Sequence, residues 1–259
     1  LLDPDIITGK LVGKTFVSKL YFFDEIGSTN DFAKISQLPD NSLIVTNFQI
    51  KGRGRFGREW ESEKGKNLTF TIFKKLDIEP LEQININYCV SYSILNELKS
   101  FLKQFQINLS NLDLNIKWPN DIILNNKKIG GILIETKSDT KEFIIGAGIN
   151  VNQENFTVSN YATSLCNELK KPVNLNNLLV KLVISLDKNL DFLTFRKYLE
   201  LYELWKSNLN CINERVTYLA SNGEKREGLV LDVLANGQIL IRENGKNSTY
   251  SSGEIKLQF

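Results

Sequence analysis

The 259-residue chain contains no histidine. A serine or cysteine nucleophile activated by an imidazole base is therefore excluded, as is any metal site built on histidine. Whatever chemistry the chain performs rests on lysine, arginine, carboxylates, amides and backbone dipoles. Methionine is absent too, and no physical reason for this is evident. Cysteine is scarce: Cys89, Cys166 and Cys211 are odd in number and far apart, which argues against a disulfide framework or a tetracysteine zinc site and favours a reducing compartment. No apolar run approaches the roughly 20 residues that cross a bilayer. The best, "LLVKLVISL", is interrupted by Lys181, and the first residues lack a signal-peptide core. The expectation is a cytoplasmic protein with no membrane partner. The excess of positive charge is only +2, so the molecule as a whole is not a polycation built for nonspecific nucleic-acid binding.

The hydrophobic fraction, 42%, is enough to fill a core in one large domain or in a large and a small one. The first ordered segment is read at "KLYFFDEIGSTNDFAKISQ": an apolar and aromatic run, then Gly27, then Ser28-Thr29-Asn30, residue types that cap helix N-termini, leading into a helix. "NSLIVTNFQ" and "NLTFTIFK" have strand composition and flank a glycine-arginine loop. In "QININYCVSYSILNELKSFLKQF", Ile84, Tyr88, Leu95, Leu98, Leu102 and Phe105 recur at helical spacing. From 114 to 152 the chain reads as successive strands with turns at "PND" and "NNKK", hence neighbouring antiparallel pairs. Helices follow after Pro172. The last fifty residues change to short strands "RVTYLA", "REGLVLDVL", "QILIRENG" and "EIKLQF", split by turn residues, as in a small β-barrel. The reading divides the chain into 1–209 and 210–259.

Two motifs carry chemistry. "FQIKGRGRFGREW" (48–60) places three arginines and a lysine among Gly52, Gly54 and Gly57. It reads either as a solvated loop, as an RNA-contacting patch, or as a loop that closes over an anion and buries Phe56 and Trp60 while its guanidinium groups pair with phosphate. In "IKWPNDIIL", Trp118 and Pro119 read as structural, whereas Lys117 at a strand end suits a point charge that neutralises a phosphoryl group.

Five segments in order, "IGSTN" (26–30), "Q..GRGRFGREW" (49–60), "KWPNDI" (117–122), "KKIGGILIE" (127–135) and "GAGINVN" (146–152), followed by a β-rich end, resemble the biotin protein ligases. The resemblance runs from about residue 20 onward. It implies an α+β fold, a mixed or antiparallel sheet with packed helices of the class II aminoacyl-tRNA-synthetase type, followed by the small barrel. It implies a ligase that activates biotin with ATP and Mg²⁺ as biotinyl-5'-AMP and passes biotin to a lysine of a biotin carboxyl carrier domain of acetyl-CoA or pyruvate carboxylase, with no tightly bound organic cofactor. Neither step requires histidine.

Position by position, the resemblance puts Ser28, Thr29, Asn30, Gln49, Gly52 and Arg53 at the biotin head group and Ile122, Gly131, Gly146 and Gly148 in the pocket walls. Arg55 and Lys117 match the groups that hold the phosphate and the adenylate carbonyl, shared by both substrates. Arg58, Trp60, Asn120, Lys128 and Asn150 fall on the nucleotide side, with the metal ligands unassigned. Only 27 residues precede Ser28, too few for a winged helix-turn-helix, so no DNA binding is expected; a homodimer is compatible with the reading. Gln258 stands where the resemblance leads to a basic residue. The alternatives are a lipoate or octanoate ligase or transferase of the same fold, an arginine-glycine RNA-binding module, and a catalytically idle biotin sensor.

Overall fold

A computed structural model describes residues 1–105, 112–137, 141–157 and 161–258, with the side chain of Gln258 left out; Phe259 and the Gln258 side-chain expectation lie outside the described residues. In chain order the elements are α1 (Pro4–Leu11), β1 (Lys19–Phe23), α2 (Thr29–Ile35), β2 (Ser42–Thr46), β3 (Leu68–Lys75), α3 (Ile84–Lys103), β4 (Leu114–Lys117), β5 (Asp121–Leu124), β6 (Lys127–Thr136) and β7 (Glu142–Ile149). They continue through α4 (Leu165–Leu169), α5 (Leu175–Asn189), α6 (Asp191–Thr194) and α7 (Tyr198–Lys206) to β8 (Arg215–Ala220), β9 (Lys225–Val233), β10 (Ile239–Glu243), β11 (Lys246–Tyr250) and β12 (Ile255–Gln258).

Seven strands form one sheet in the order β1-β2-β3-β7-β6-β5-β4. Only β1 and β2 run parallel, so the sheet is mixed. The β5–β6 hairpin follows from Asn125 and Asn126, both with left-handed φ (51° and 61°), the backbone that a two-residue hairpin turn demands and asparagine tolerates. The period of two along β7 sorts its side chains: Phe143, Ile145 and Ile149 face the large core under α3 and α5, while Ile144, Gly146 and Gly148 face the side where α2 packs. Because Gly146 and Gly148 offer no side chain on that side, Asn30 and Trp60 come down onto the sheet there, at the wall of a hollow.

The remaining strands pair as β11-β10-β9-β8-β12. The expected barrel is thus a five-stranded antiparallel sheet in which no pairing joins β11 to β12 among the described residues. Val216, Tyr218, Val230, Val233, Ile239, Ile241, Ile255 and Leu257 belong to the same buried cluster as the helices of the large sheet. Trp205 and Tyr88 stack at 4.2 Å at this junction. Polar ties add to it: Tyr202 Oη donates to the Val233 carbonyl (2.7 Å), Trp118 Nε1 to the Gly237 carbonyl (3.0 Å), and Lys206 pairs with Asp232 (2.7 Å).

Three elements went unread in the sequence, among them the short α4 at Leu165–Leu169, ahead of Pro172. α1 precedes the first expected segment, with Asp3 capping it and Pro4 at its first position, and β11 is the polar edge strand "KNSTY".

Candidate active site

The hollow on the α2 side is one cavity of about 900 Å³, walled by the large sheet, the glycine-arginine loop and the end of the small sheet. Its deep end is neutral and polar. Ser28 caps α2, its Oγ accepting from the Asp31 N–H (3.3 Å), which leaves the next hydroxyl for other work. Thr29 donates through N (2.7 Å) and Oγ1 (3.0 Å) to Gln49 Oε1, and Thr71 Oγ1 reaches both Thr29 Oγ1 (2.8 Å) and Asn30 Oδ1 (2.6 Å). Asn30 Nδ2 donates to Glu135 Oε2 (3.0 Å). Buried hydroxyls and amides held this way present a fixed set of donors and acceptors rather than a charge.

Arg53 lines the cavity, but its guanidinium is committed to two carboxylates, Asp31 Oδ1 (2.5 Å) and Glu135 Oε2 (3.0 Å). The hydrogen bond it donates to Asp31, assisted by Glu135, raises its pKa further, so it is a fixed cation that braces α2 against β6.

The other end is cationic. Lys117 sits half-buried at the end of β4, and Arg55, Arg58, Lys128, Lys225 and Lys256 line the same space. Burial pushes the Lys117 pKa down; Asp121 opposes this, and Lys128, Lys256 and Arg58 push the same way as burial. Burial likewise lowers Arg55, against Asp121, although a guanidinium remains charged regardless. Lys128 pairs with Asp121 (2.7 Å) and lies 5.7 Å over the Trp60 ring. Trp60 lies flat on Gly148: a Cβ built there would stand 2.5 Å from the indole. The Trp60 Nε1–H and the Asn150 Oδ1 are buried and find no hydrogen-bond partner among the described residues, one donor and one acceptor in the cavity wall. Asn120 is fixed by donating to the Ile132 carbonyl (2.5 Å) and accepts from Arg55 Nη1 (3.3 Å).

Ser28, Thr29, Asn30, Gln49, Arg53, Arg55, Arg58, Trp60, Lys117, Asn120, Lys128, Gly131, Gly146, Gly148 and Asn150 are thus brought to one cavity. Gly52 and Ile122 are not among its lining residues. Gly52 lies under the loop, where a Cβ would meet the Trp60 carbonyl at 2.8 Å, so it serves close backbone approach. Ile122 faces the helix-side core, and its neighbours Asp121 and Ile123 face the cavity. Phe56, which a loop closed over an anion would bury, stands 68% exposed with φ +57°.

Sequence reasoning missed Thr71, Asp121, Glu135, Ser252 and Lys256. Asp121 belongs to the "KWPND" motif, and Glu135 follows Gly131 at twice the strand period, so both carried a local signal. Ser252 carried none. The cysteines take no part: burial pushes the Cys89 and Cys211 thiols up to about 12, far from a thiolate nucleophile.

The sequence pattern of the biotin/lipoate A/B protein ligase family matches residues 22–152, half of the chain. Over its whole length the chain is 26% identical to 78% of the bifunctional ligase/repressor BirA of Escherichia coli K12. It is 22% identical, over 83% of its length and 79% of the relative's, to the biotin–[acetyl-CoA-carboxylase] ligase of Mycobacterium tuberculosis. The structure of the Aquifex aeolicus biotin protein ligase, solved in complex with biotin and ATP, superposes with a TM-score of 0.78 at 26% identity, covering 93% of this chain and 99% of that one. The motifs, the sheet that carries them and these likenesses agree: the chain belongs to the biotin/lipoate A/B protein ligase family.

Proposed function

We propose that the chain is an ATP-dependent biotin protein ligase whose two half-reactions share this cavity. The observation that carries the reading is the cavity's polarity: a neutral end of Ser28, Thr29, Asn30, Gln49 and Thr71 is continuous with a cationic end of Arg55, Arg58, Lys117 and Lys128. A ureido ring offers one carbonyl acceptor and two N–H donors, which suits the first end. The acid's carboxylate then points to the second, where a nucleotide's α-phosphate would lie, with the adenine against the Trp60 indole that Gly148 backs, and within reach of the unpartnered Trp60 N–H and Asn150 carbonyl. A carboxylate oxygen attacks the α-phosphorus and pyrophosphate leaves; an acceptor lysine amine then attacks the acyl carbon, losing a proton, and AMP leaves. Both steps concentrate negative charge on oxygen, which Lys117 and Arg55 stabilise as fixed cations.

Among the described residues no three potential ligands group to hold a resident metal. The donor set fits Mg²⁺ carried on the nucleotide's own phosphates, which needs one or two protein carboxylates at most, and Asp121, Glu59 and Glu61 line the cavity. Bound there, the ion would neutralise phosphate charge.

The acceptor is proposed to be a biotin carboxyl carrier domain of an acetyl-CoA or pyruvate carboxylase. We place the boundary between the catalytic unit and the small sheet at 209/210, where the Asn210 N–H donates to the Ile116 carbonyl (3.2 Å). No described helix is long and apolar enough to cross a membrane.

Mass spectrometry of the protein incubated with biotin, ATP and Mg²⁺ tests the reading: biotinyl-adenylate and pyrophosphate are expected. Adenylation of lipoate or octanoate in preference to biotin would replace it with the sister activity of the family. The nucleotide placement has its own test. Gly148→Ala should tilt the Trp60 indole and raise the KM for ATP roughly tenfold, within the range of an overpacking penalty, while the KM for biotin moves little. An unchanged KM for ATP would take the adenine off this surface.

A further inference from the structure

Arg55 does not hang free over the cavity. Its Nη2 donates to the Ser252 carbonyl (3.0 Å) and to Ser252 Oγ, across 197 residues of chain, while Nη1 donates to Asn120 Oδ1 (3.3 Å). Three of the five guanidinium N–H groups are thereby used, and two remain for an incoming anion. The neighbouring Phe56, with its left-handed backbone, lays its ring edge about one van der Waals contact from Gly253, a Cβ on which would lie 3.4 Å from it.

The turn that presents Ser252 is itself held. Ser251 N–H donates to Glu254 Oε2 (2.5 Å), Gly253 N–H to the Ser251 carbonyl (2.8 Å), and Gln238 Nε2 to Ser251 Oγ (3.4 Å). Gln238 adjoins Gly237, whose carbonyl accepts from Trp118. A path of contacts therefore runs from the "KWPND" turn through the small sheet and back to the arginine of the glycine loop.

We propose that Ser252 is a positioning residue for Arg55: the turn between β11 and β12 latches the glycine-arginine loop from outside, so that the small sheet helps to retain the acyl-adenylate. The inference rests on the ligase reading for its consequence, but the latch itself can be measured without substrate. A charge-assisted hydrogen bond of this kind is worth on the order of tenfold in an equilibrium.

The full chain is compared with its Ser252→Ala and Ser252→Thr variants. In the ligand-free proteins, amide hydrogen exchange of residues 51–60 should accelerate several-fold in Ser252→Ala and stay near wild type in Ser252→Thr, with the thermal midpoint unmoved in both. Release of preformed biotinyl-adenylate, chased with excess biotin, should quicken on the order of tenfold in Ser252→Ala, and Ser252→Thr should restore retention. Unchanged exchange in 51–60, unchanged release, or faster adenylation in Ser252→Ala, which would mean that Ser252 holds Arg55 out of action, each overturns the latch. A wild-type protein that makes no biotinyl-adenylate overturns the ligase reading instead, and leaves the exchange experiment standing as the test of the latch.

Discussion

Lys117→Ala should fold normally and lose roughly 10²–10³ of its adenylation rate, the usual consequence of removing one fixed donor from a charge that develops in the transition state. Its fold should survive because the side chain is only half-buried at a strand end while Ile116 and Trp118 on either side hold the core. Biotin affinity should change far less than the rate, since the loss is confined to the step in which charge builds. Isotope exchange between pyrophosphate and ATP reads the first quantity and equilibrium titration the second. Exchange within tenfold of wild type would remove Lys117 from the mechanism. The wild-type pH profile supplies a further check on the same group. Burial and three neighbouring cations hold the Lys117 pKa below that of an ordinary lysine, so the ammonium is lost as pH rises through that lowered value. Adenylation should therefore fall on the alkaline side earlier than a solvent-exposed lysine would dictate, and Lys117→Ala should lack that limb.

Arg55→Gly should keep the ability to form the intermediate and lose the ability to keep it. The substitution removes three hydrogen bonds that tie the loop to Asn120 and Ser252, together with the cation expected to pair with phosphate. A mixed anhydride survives only where water is excluded, and a loop carrying Gly52, Gly54 and Gly57 loses that closure once its anchor goes. Ordering such a loop costs roughly 1–2 kcal/mol per residue of backbone, and in the native protein the arginine's contacts offset part of that. The variant should leak biotinyl-adenylate and label lysines of an unrelated protein such as serum albumin, with at least tenfold more bystander biotin than wild type. Hydrogen exchange should show residues 51–60 gaining protection on adenylate binding in the wild type and little in the variant. A variant that retains its intermediate would sink this account.

The parts of this architecture that depend on local pattern were legible in the residues. Ser28 caps and Thr29 lines the cavity, as adjacent hydroxyls on a helix start allow, and the Asn125-Asn126 turn sets the hairpin that carries Lys128. What was hidden depended on parity or on distance. Ile122 and Asp121 differ by one position in a strand, and a motif quoted as a block does not say which of them faces the hollow. β11 has no apolar alternation because it is an edge strand, and the exposed Phe56 finds its partner in Gly253, nearly two hundred residues away. Pairings of that kind exist only after both sheets are docked.

The fused core has a consequence for synthesis. Walls of the cavity are drawn from Ser28 through Leu257, and the strand that carries Lys256 and Leu257 pairs with β8 and fills the junction between the two sheets. Chains fold from the N-terminus as they leave the ribosome. The neutral pocket and the cationic groups of the large sheet can therefore form on a nascent chain, but the turn that anchors Arg55 emerges after them. On the latch proposal, a half-made protein would carry an unfastened loop, and retention of the acyl-adenylate would be acquired last.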